Sequence, residues 1–299
     1  MNIAVMGAGA VGCYMGAILA KAGHAVTLIG RPQHVEAARQ SGLLLESKLR
    51  FTGHVPMQAT TEPDGVAGAD IVLFCVKSTD TEATGRQIAP YLGDRTAIIC
   101  LQNGVDNAER LRAVIGHTTI PAAVYVATEM AGPGHVKHHG RGDLIIGASL
   151  DSDRIAEAFT ASGIPTVVSD NAIGALWSKL IVNCAYNALS AIPQLPYGRL
   201  LETDGVKEVM QDVLNECLAV ARAAGVTVPA ETAQTVANLA ASMPNQYAST
   251  AQDIARGRPT EIEHLNGYVV RKGDALGVPT PVNRTLLTLV RLIEAKALS

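Results

Sequence analysis

Charge of one sign, paired cysteines and hydrolase or metalloprotease motifs are all missing from this chain of 299 residues. Lys and Arg number 24 against 27 Asp and Glu, a formal net charge of −3, so no basic field exists to hold nucleic acid or an anionic lipid surface. Any anionic ligand must be held by local groups. The five cysteines, Cys13, Cys75, Cys100, Cys184 and Cys217, are odd in number and mostly set in apolar runs. Without a CxxC pair or zinc-like spacing they read as small core residues of a reducing compartment. No GxSxG, HExxH or P-loop occurs, and there is no internal repeat or low-complexity tract. Beyond the amino-terminal run, no uninterrupted apolar stretch reaches the length of a membrane span. The expectation is a soluble, cytoplasmic protein with no nucleic-acid, membrane or metal partner, and the chain leaves a homodimer open.

The lack of charge from Met1 to Ala20 admits two accounts. Gly12-Cys13-Tyr14-Met15-Gly16 matches the small-xxx-small pattern of membrane helix pairs, and the run could pass for a signal. Against this, no basic residue precedes it, no small-residue cleavage context follows, and Gly7, Gly9 and Gly12 would weaken a helix starting at Ile3. The second account fits better: a strand Ile3–Met6, the turn Gly7-Ala8-Gly9-Ala10-Val11-Gly12, a helix Val11–Ala22 stopped by Gly23, and a strand Val26–Ile29. In such a unit Gly7 permits the tight turn, Gly9 lets backbone N–H groups approach a pyrophosphate, and Gly12 lets the helix pack close to the strand. A site preferring NAD usually ends its second strand in a carboxylate. Here no Asp or Glu occurs between Ala25 and His34, and Arg31 offers a guanidinium fork to a 2′-phosphate. The reading is NADP(H), bound by Gly7, Ala8, Gly9, Ala10, Val11, Gly12 and Arg31.

With 48% hydrophobic residues the chain has core enough for two domains. The first half alternates β runs with helical patterns, predicting a doubly wound, Rossmann-like α/β domain over residues 1–170 with a parallel sheet covered on both faces. Its further strands are Leu43–Leu45, Ile71–Val76, Ala97–Leu101 and Pro121–Val124, with helices Thr81–Ala89 and Val105–Ile115. Gly134–Lys137 and Leu144–Ile146 look antiparallel, and Asp153–Ser162 looks like a helix before Ile164–Val168. From 171 to 299 strand alternation gives way to a 3.6-residue period, predicting an all-α domain. Its helices are Ile173–Ile192, Gly205–Ala224, Glu231–Ala241, Ser249–Arg256, Glu261–Leu276 and Val282–Ala297.

Ligands of an open parallel sheet bind outside the carboxyl ends of its strands. Two such ends carry polar residues: Lys77 follows Ile71–Val76, and Gln102-Asn103-Gly104 follows Ala97–Leu101. Lys77 could face cofactor phosphate or the adenosine ribose, and Asn103 the nicotinamide ribose or substrate. The plainer account is a first solvated lysine and an Asn-Gly turn. In the helical half, Lys179, Asn183 and Asn187 recur every four residues and drift by only about 40° per step, so they share one face of an otherwise apolar helix. A polar stripe there needs partners in the protein or a ligand. Ser249 and Glu261 have simple accounts as helix cap and first-turn carboxylate. Yet a reduction needs a proton donor and carboxylate-binding groups, and these five residues could supply that set. His138-His139-Gly140-Arg141-Gly142 has no metal-compatible partners and reads as a turn.

Together the glycine turn, Arg31, Lys77, Gln102-Asn103-Gly104, Lys179-xxx-Asn183-xxx-Asn187, Ser249-xx-Gln252-Asp253 and Thr260-Glu261-Ile262 resemble the ketopantoate reductase (2-dehydropantoate 2-reductase) family, in the same order along nearly the whole chain. The resemblance implies an amino-terminal Rossmann domain, a helical domain of the 6-phosphogluconate dehydrogenase type, and an active site between them. It implies that Lys179 is the general acid and Glu261 its partner in the hydrogen-bond network. Asn183 and Asn187 would hold substrate oxygens, Ser249 the substrate carboxylate, and Asn103 would bridge cofactor and substrate. One departure bears on the substrate: Tyr197 stands where some members place a substrate-contacting Asn.

The expected activity is that of an NADP-dependent oxidoreductase acting on a CH–OH group, reducing the small molecule 2-dehydropantoate to (R)-pantoate for coenzyme A synthesis. Two alternatives remain. One is a paralogous reductase of another 2-keto acid or a 3-hydroxy acid dehydrogenase. The other is a non-enzymatic NADP(H) redox sensor, which would have no need of Lys179 and Glu261.

Overall fold

A computed structural model describes residues 1–297 and divides into two compact units, Met1–Ala172 and the residues from Ile173 onward. The first unit contains, in order, β1 (Asn2–Met6), α1 (Ala10–Lys21), β2 (Ala25–Ile29), α2 (Pro32–Ser41), β3 (Leu43–Ser47), β4 (Gly53–Val55) and β5 (Gln58–Thr60). It continues with β6 (Ile71–Phe74), α3 (Thr81–Ile88), β7 (Ala97–Cys100), α4 (Asn107–Ile115), β8 (Thr119–Gly132), β9 (His135–Gly147), α5 (Ser152–Ala161) and β10 (Thr166–Ser169).

Six strands run parallel in the order β5-β2-β1-β6-β7-β8, which is the 3-2-1-4-5-6 order of dinucleotide-binding sheets. The order reverses between β1 and β6, so the crevice for a ligand opens at their carboxyl ends. The central strands β6 and β7 are buried at every residue, as sheets covered on both faces require. Alternation divides them between two cores. Val5, Leu28, Leu73 and Ile99 pack with Cys13, Tyr14 and Ala17 of α1 on one face. Ala4, Ile29, Val72, Phe74 and Ile98 pack with Ile88, Leu111 and Ile115 of α3 and α4 on the other.

The sheet is not parallel throughout. β8 runs on past the parallel core and pairs antiparallel with β9, with register shifts near Tyr125, Ala127 and Met130. The two antiparallel pieces expected at Gly134–Lys137 and Leu144–Ile146 are therefore one long strand. β3 lies beside β9 rather than in the parallel core, and pairs antiparallel with β4. The helix α2 does not show in the sequence pattern, because only Val35 and Ala38 of its ten residues are buried and the hydrophobic period is too sparse to read.

The second unit is all helical: α6 (Ala172–Ala191), α7 (Tyr197–Leu200), α8 (Val206–Ala223), α9 (Thr232–Ser242), α10 (Ser249–Ala255), α11 (Asn266–Leu276) and α12 (Pro281–Ala297). The expected helix Glu261–Leu276 is broken. A 3₁₀ turn at Ile262–His264 is followed by Leu265 at φ −108°, ψ −105°, and α11 starts only at Asn266. Asn266 is fully buried and donates through Nδ2 to the Cys184 carbonyl of α6 (3.2 Å) and to Asn283 Oδ1 of α12 (3.0 Å). That buried amide fixes where the chain restarts its helix. Among the described residues, no helix is long and apolar enough to cross a membrane.

Candidate active site

The chain leaves β1 through Gly7, whose φ is +116° and on which a Cβ would lie 2.7 Å from the Cys75 carbonyl carbon. Only glycine fits there. Gly7 N donates to the Ile29 carbonyl (2.9 Å) and Cys75 N to the Met6 carbonyl (2.7 Å), so the turn is pinned between β2 and β6. A Cβ on Gly12 would lie 2.2 Å from the Gly7 oxygen, whereas one on Gly9 would meet nothing within 4 Å. The space over Gly9 is thus open. Beside it α1 begins with no side-chain cap and no acidic residue in its first turn, leaving amide N–H groups and the positive end of the helix dipole toward that space. These groups fit a pyrophosphate.

Ala8 supplies a link absent from the glycine pattern. Its Cβ lies 2.3 Å from where Gly30 would carry one, so the end of β2 can approach the turn only because residue 30 has no side chain. Arg31, exposed at the start of α2, is brought by that contact beside the glycine turn. At the ends of β6 and β7, Lys77 and Asn103 are both half-buried. Their loops are joined by Ser78 Oγ donating to the Asn103 carbonyl (2.9 Å) and Gln102 Nε2 donating to Thr81 Oγ1 (2.7 Å).

In the second unit, α6 is embedded nearly all round: Trp177, Leu180, Ile181, Cys184, Ala185 and Tyr186 are buried. Lys179 and Asn183 are half-buried along one strip, and Asn187 is 1% exposed. Asn187 Nδ2 donates to Ser249 Oγ at 3.3 Å, so two residues distant in sequence meet. Ser249 is the first helical residue of α10 and makes no capping bond; the position before the helix is Ala248. The cap account of Ser249 therefore fails, and its exposed hydroxyl is oriented by Asn187 instead. Tyr197 is 8% exposed, with its ring 4.8 Å from that of Tyr186 and its N donating to the Gln246 carbonyl (2.9 Å). It fills core space, and burial raises its phenol pKa.

Glu261 is half-buried and precedes a three-residue 3₁₀ turn, not the first turn of an α-helix. Capping of a long helix does not explain it. Two residues on, Glu263 ties helices together through an ion pair, with Arg291 donating to both its oxygens (2.5 and 2.8 Å) and Arg271 Nη1 to Oε2 (3.1 Å). The Arg291 hydrogen bond, chiefly, holds the Glu263 carboxyl below the usual carboxylate range. A depressed folded-state pKa contributes stability that is present above the ordinary carboxylate pKa and lost as pH falls through the lowered one. Glu263→Gln is expected to lower Tm at neutral pH, and the gap from the unmodified protein should close on acidification. A pH-independent gap in thermal melts would show that the charge is not responsible.

His138 lies in β9, not in a turn. It is 5% exposed, stacked on Tyr14 (4.4 Å between centroids), with Nδ1 2.8 Å from Ser47 Oγ and Nε2 2.8 Å from the Arg141 carbonyl. Both ring nitrogens are engaged, one tying β9 to β3 and the other closing on β9 itself. The cysteines are all free, and burial pushes Cys13 and Cys100 up to about 12, far from nucleophilic thiolates. Among the described residues, no group of three or more His, Cys, Asp or Glu is placed to hold a metal ion.

Comparison with known proteins gives this arrangement its context. The family model Ketopantoate reductase PanE/ApbA matches residues 3–150, and Ketopantoate reductase PanE/ApbA C terminal matches residues 171–294. The chain is 33% identical over 305 residues to the 2-dehydropantoate 2-reductase of Halobacterium salinarum, covering 98% of this chain and 99% of that protein. The crystal structure of a PanE/ApbA family ketopantoate reductase from Ralstonia eutropha JMP134 superposes with a TM-score of 0.97 at 56% identity, covering 100% of both chains. D-mandelate dehydrogenase, solved with NADH and anilino(oxo)acetate, superposes with a TM-score of 0.91 at 24% identity and 99% coverage of each chain, a likeness of fold. A sheet of the dinucleotide-binding order followed by an all-helical unit is the fold class that the ketopantoate reductase structures share. The chain belongs to the ketopantoate reductase family.

Proposed function

We propose that the protein reduces 2-dehydropantoate to (R)-pantoate with NADPH. The observation that carries this reading is the stripe on α6: Lys179, Asn183 and Asn187 interrupt a helix packed in apolar side chains, and Asn187 reaches Ser249. Full-length relatives carrying the 2-dehydropantoate 2-reductase name support the substrate. A nicotinamide held at the glycine turn would supply a hydride to the 2-keto carbon. Negative charge then grows on the carbonyl oxygen, where the Lys179 ammonium stabilises it and gives up a proton from Nζ, leaving an alcohol. Glu261 orients that lysine. Asn183 and Asn187 donate to substrate oxygens, and Ser249 Oγ donates to the carboxylate. Gly7–Gly12 hold the pyrophosphate, Lys77 an adenosine-side phosphate or ribose, Arg31 the 2′-phosphate, and Asn103 the nicotinamide ribose.

A second reading, reduction of another 2-keto acid, is favoured by one observation: Tyr197, which the resemblance sets against a substrate-contacting Asn of some members, is buried against the Tyr186 ring. The test follows NADPH oxidation with 2-dehydropantoate, pyruvate, 2-oxoisovalerate and an aryl 2-keto acid. The proposal expects kcat/KM highest for 2-dehydropantoate; equal or better turnover of another acid overturns it.

Cofactor choice is tested separately. Arg31→Ala is expected to weaken NADPH by about 10- to 100-fold, the magnitude of a charge-assisted hydrogen bond lost, and to leave NADH nearly unchanged. Equal losses in equilibrium titration would remove Arg31 from the 2′-phosphate.

A further inference from the structure

We propose that Asn107 is a positioning residue that fixes Asn103 for its contacts with cofactor and substrate. The inference rests on the role given above to Asn103 and concerns a residue outside that set. Asn107 opens α4 and is 3% exposed. Its Nδ2 donates to the Asn103 carbonyl (2.5 Å) and to Ser78 Oγ (3.1 Å). Ser78 Oγ donates its own hydrogen bond to the same Asn103 carbonyl (2.9 Å), so two donors, one from each strand-end loop, converge on that single oxygen.

The orientation of the Asn107 amide is fixed by its other end. Oδ1 accepts from Arg110 Nη1 (3.2 Å) and faces Thr81 Oγ1 (3.0 Å), and because a guanidinium only donates, the atom facing it must be the oxygen. Arg110 is held in turn by both oxygens of Glu82 (2.8 and 2.7 Å) and donates to the Ser78 carbonyl (3.0 Å). Every hydrogen-bonding site of one buried amide is thereby engaged between the loop after β6 and the loop after β7. Those are the loops that carry Lys77 and Asn103 to the carboxyl edge of the sheet, where a dinucleotide binds. A buried amide satisfied at each of its own sites holds its geometry, while a half-satisfied one does not. Asn103 is followed by Gly104 at φ +93°, a junction that would otherwise let its peptide turn.

The test is a double-mutant cycle. Asn107→Asp keeps the acceptor toward Arg110 and Thr81 but removes both donors and sets a carboxylate oxygen against the Asn103 carbonyl. Soluble N107D is expected to retain most of the thermal stability while kcat/KM falls by about 10- to 100-fold, the scale of an ångström-sized misplacement. In an N103A background the same substitution should cost almost nothing further, because its effect passes through Asn103. A kcat/KM within twofold of the unmodified enzyme, or losses that multiply in the double variant, overturns the proposal. Should N107D fail to fold, Ser78→Ala removes the other donor to the same carbonyl, and the same non-additivity with N103A is required. If the unmodified protein binds NADPH but reduces none of the keto acids, the proposed reaction fails by itself. The cycle is then read on NADPH dissociation constants, where non-additive losses support the role of Asn107 and additive ones overturn it.

Discussion

Lys179→Ala is expected to lower kcat by about 10²- to 10⁴-fold, the usual contribution of a positioned general acid, with little change in NADPH affinity or Tm. The physical case begins with the helix. α6 is held by Trp177, Leu180, Ile181 and Tyr186, all buried, so removing a half-buried lysine from its remaining strip leaves the packing intact. What disappears, under the proposed reaction, is the ammonium toward which the carbonyl oxygen would build charge. Lys179→Arg separates two contributions. Arginine keeps the positive charge but does not release its proton at neutral pH, so it should recover substrate binding and little of kcat. A near-normal kcat for either variant, followed by NADPH absorbance under saturating keto acid, would take the general-acid role away from Lys179.

The parts of this protein that could be read from residues are those in which one physical rule dominates. β6 and β7 are unbroken apolar runs because both sheet faces are covered, and α6 shows its polar stripe because everything else on that helix is buried. Where two rules compete, the reading slips. α2 buries only Val35 and Ala38, so its periodicity is faint. The helix expected to start at Glu261 obeys its hydrophobic period, but the buried Asn266 amide forces a break before it, and the nature of Glu261 changes with that break. The Asn187–Ser249 contact was legible only as two candidates in need of convergence, since nothing local joins residues 62 apart. The Asn107 cluster was not legible at all: an Asn opening a helix after Gly and Asp is an ordinary capping context, and only the fold brings Ser78, Thr81 and Arg110 around it.

The same tension between fold and site runs through the glycine turn, and two single substitutions are expected to separate them. Gly12→Ala places a methyl 2.2 Å from the Gly7 oxygen, 2.9 Å from Val5 Cγ1 and 3.2 Å from Cys75 Cβ. Two of those neighbours belong to β1 and the strand-end segment after β6, which cannot yield without moving the sheet. Overpacking of this kind costs about 1–3 kcal/mol or more, so G12A should melt several degrees earlier and lose NADPH with it. Gly9→Ala meets nothing within 4 Å. Its methyl projects into the open space beside the start of α1, so Tm should scarcely move. If that space is where the pyrophosphate lies against the backbone, the same methyl must displace the ligand, and NADPH should weaken by about tenfold or more at unchanged stability. Thermal melts and NADPH titrations on the two variants then form a cross. Loss of both properties at residue 12 and of binding alone at residue 9 is the expected pattern. G9A protein that binds NADPH as tightly as the unmodified enzyme would remove the pyrophosphate from this turn, and with it the argument that brings Arg31 to the cofactor.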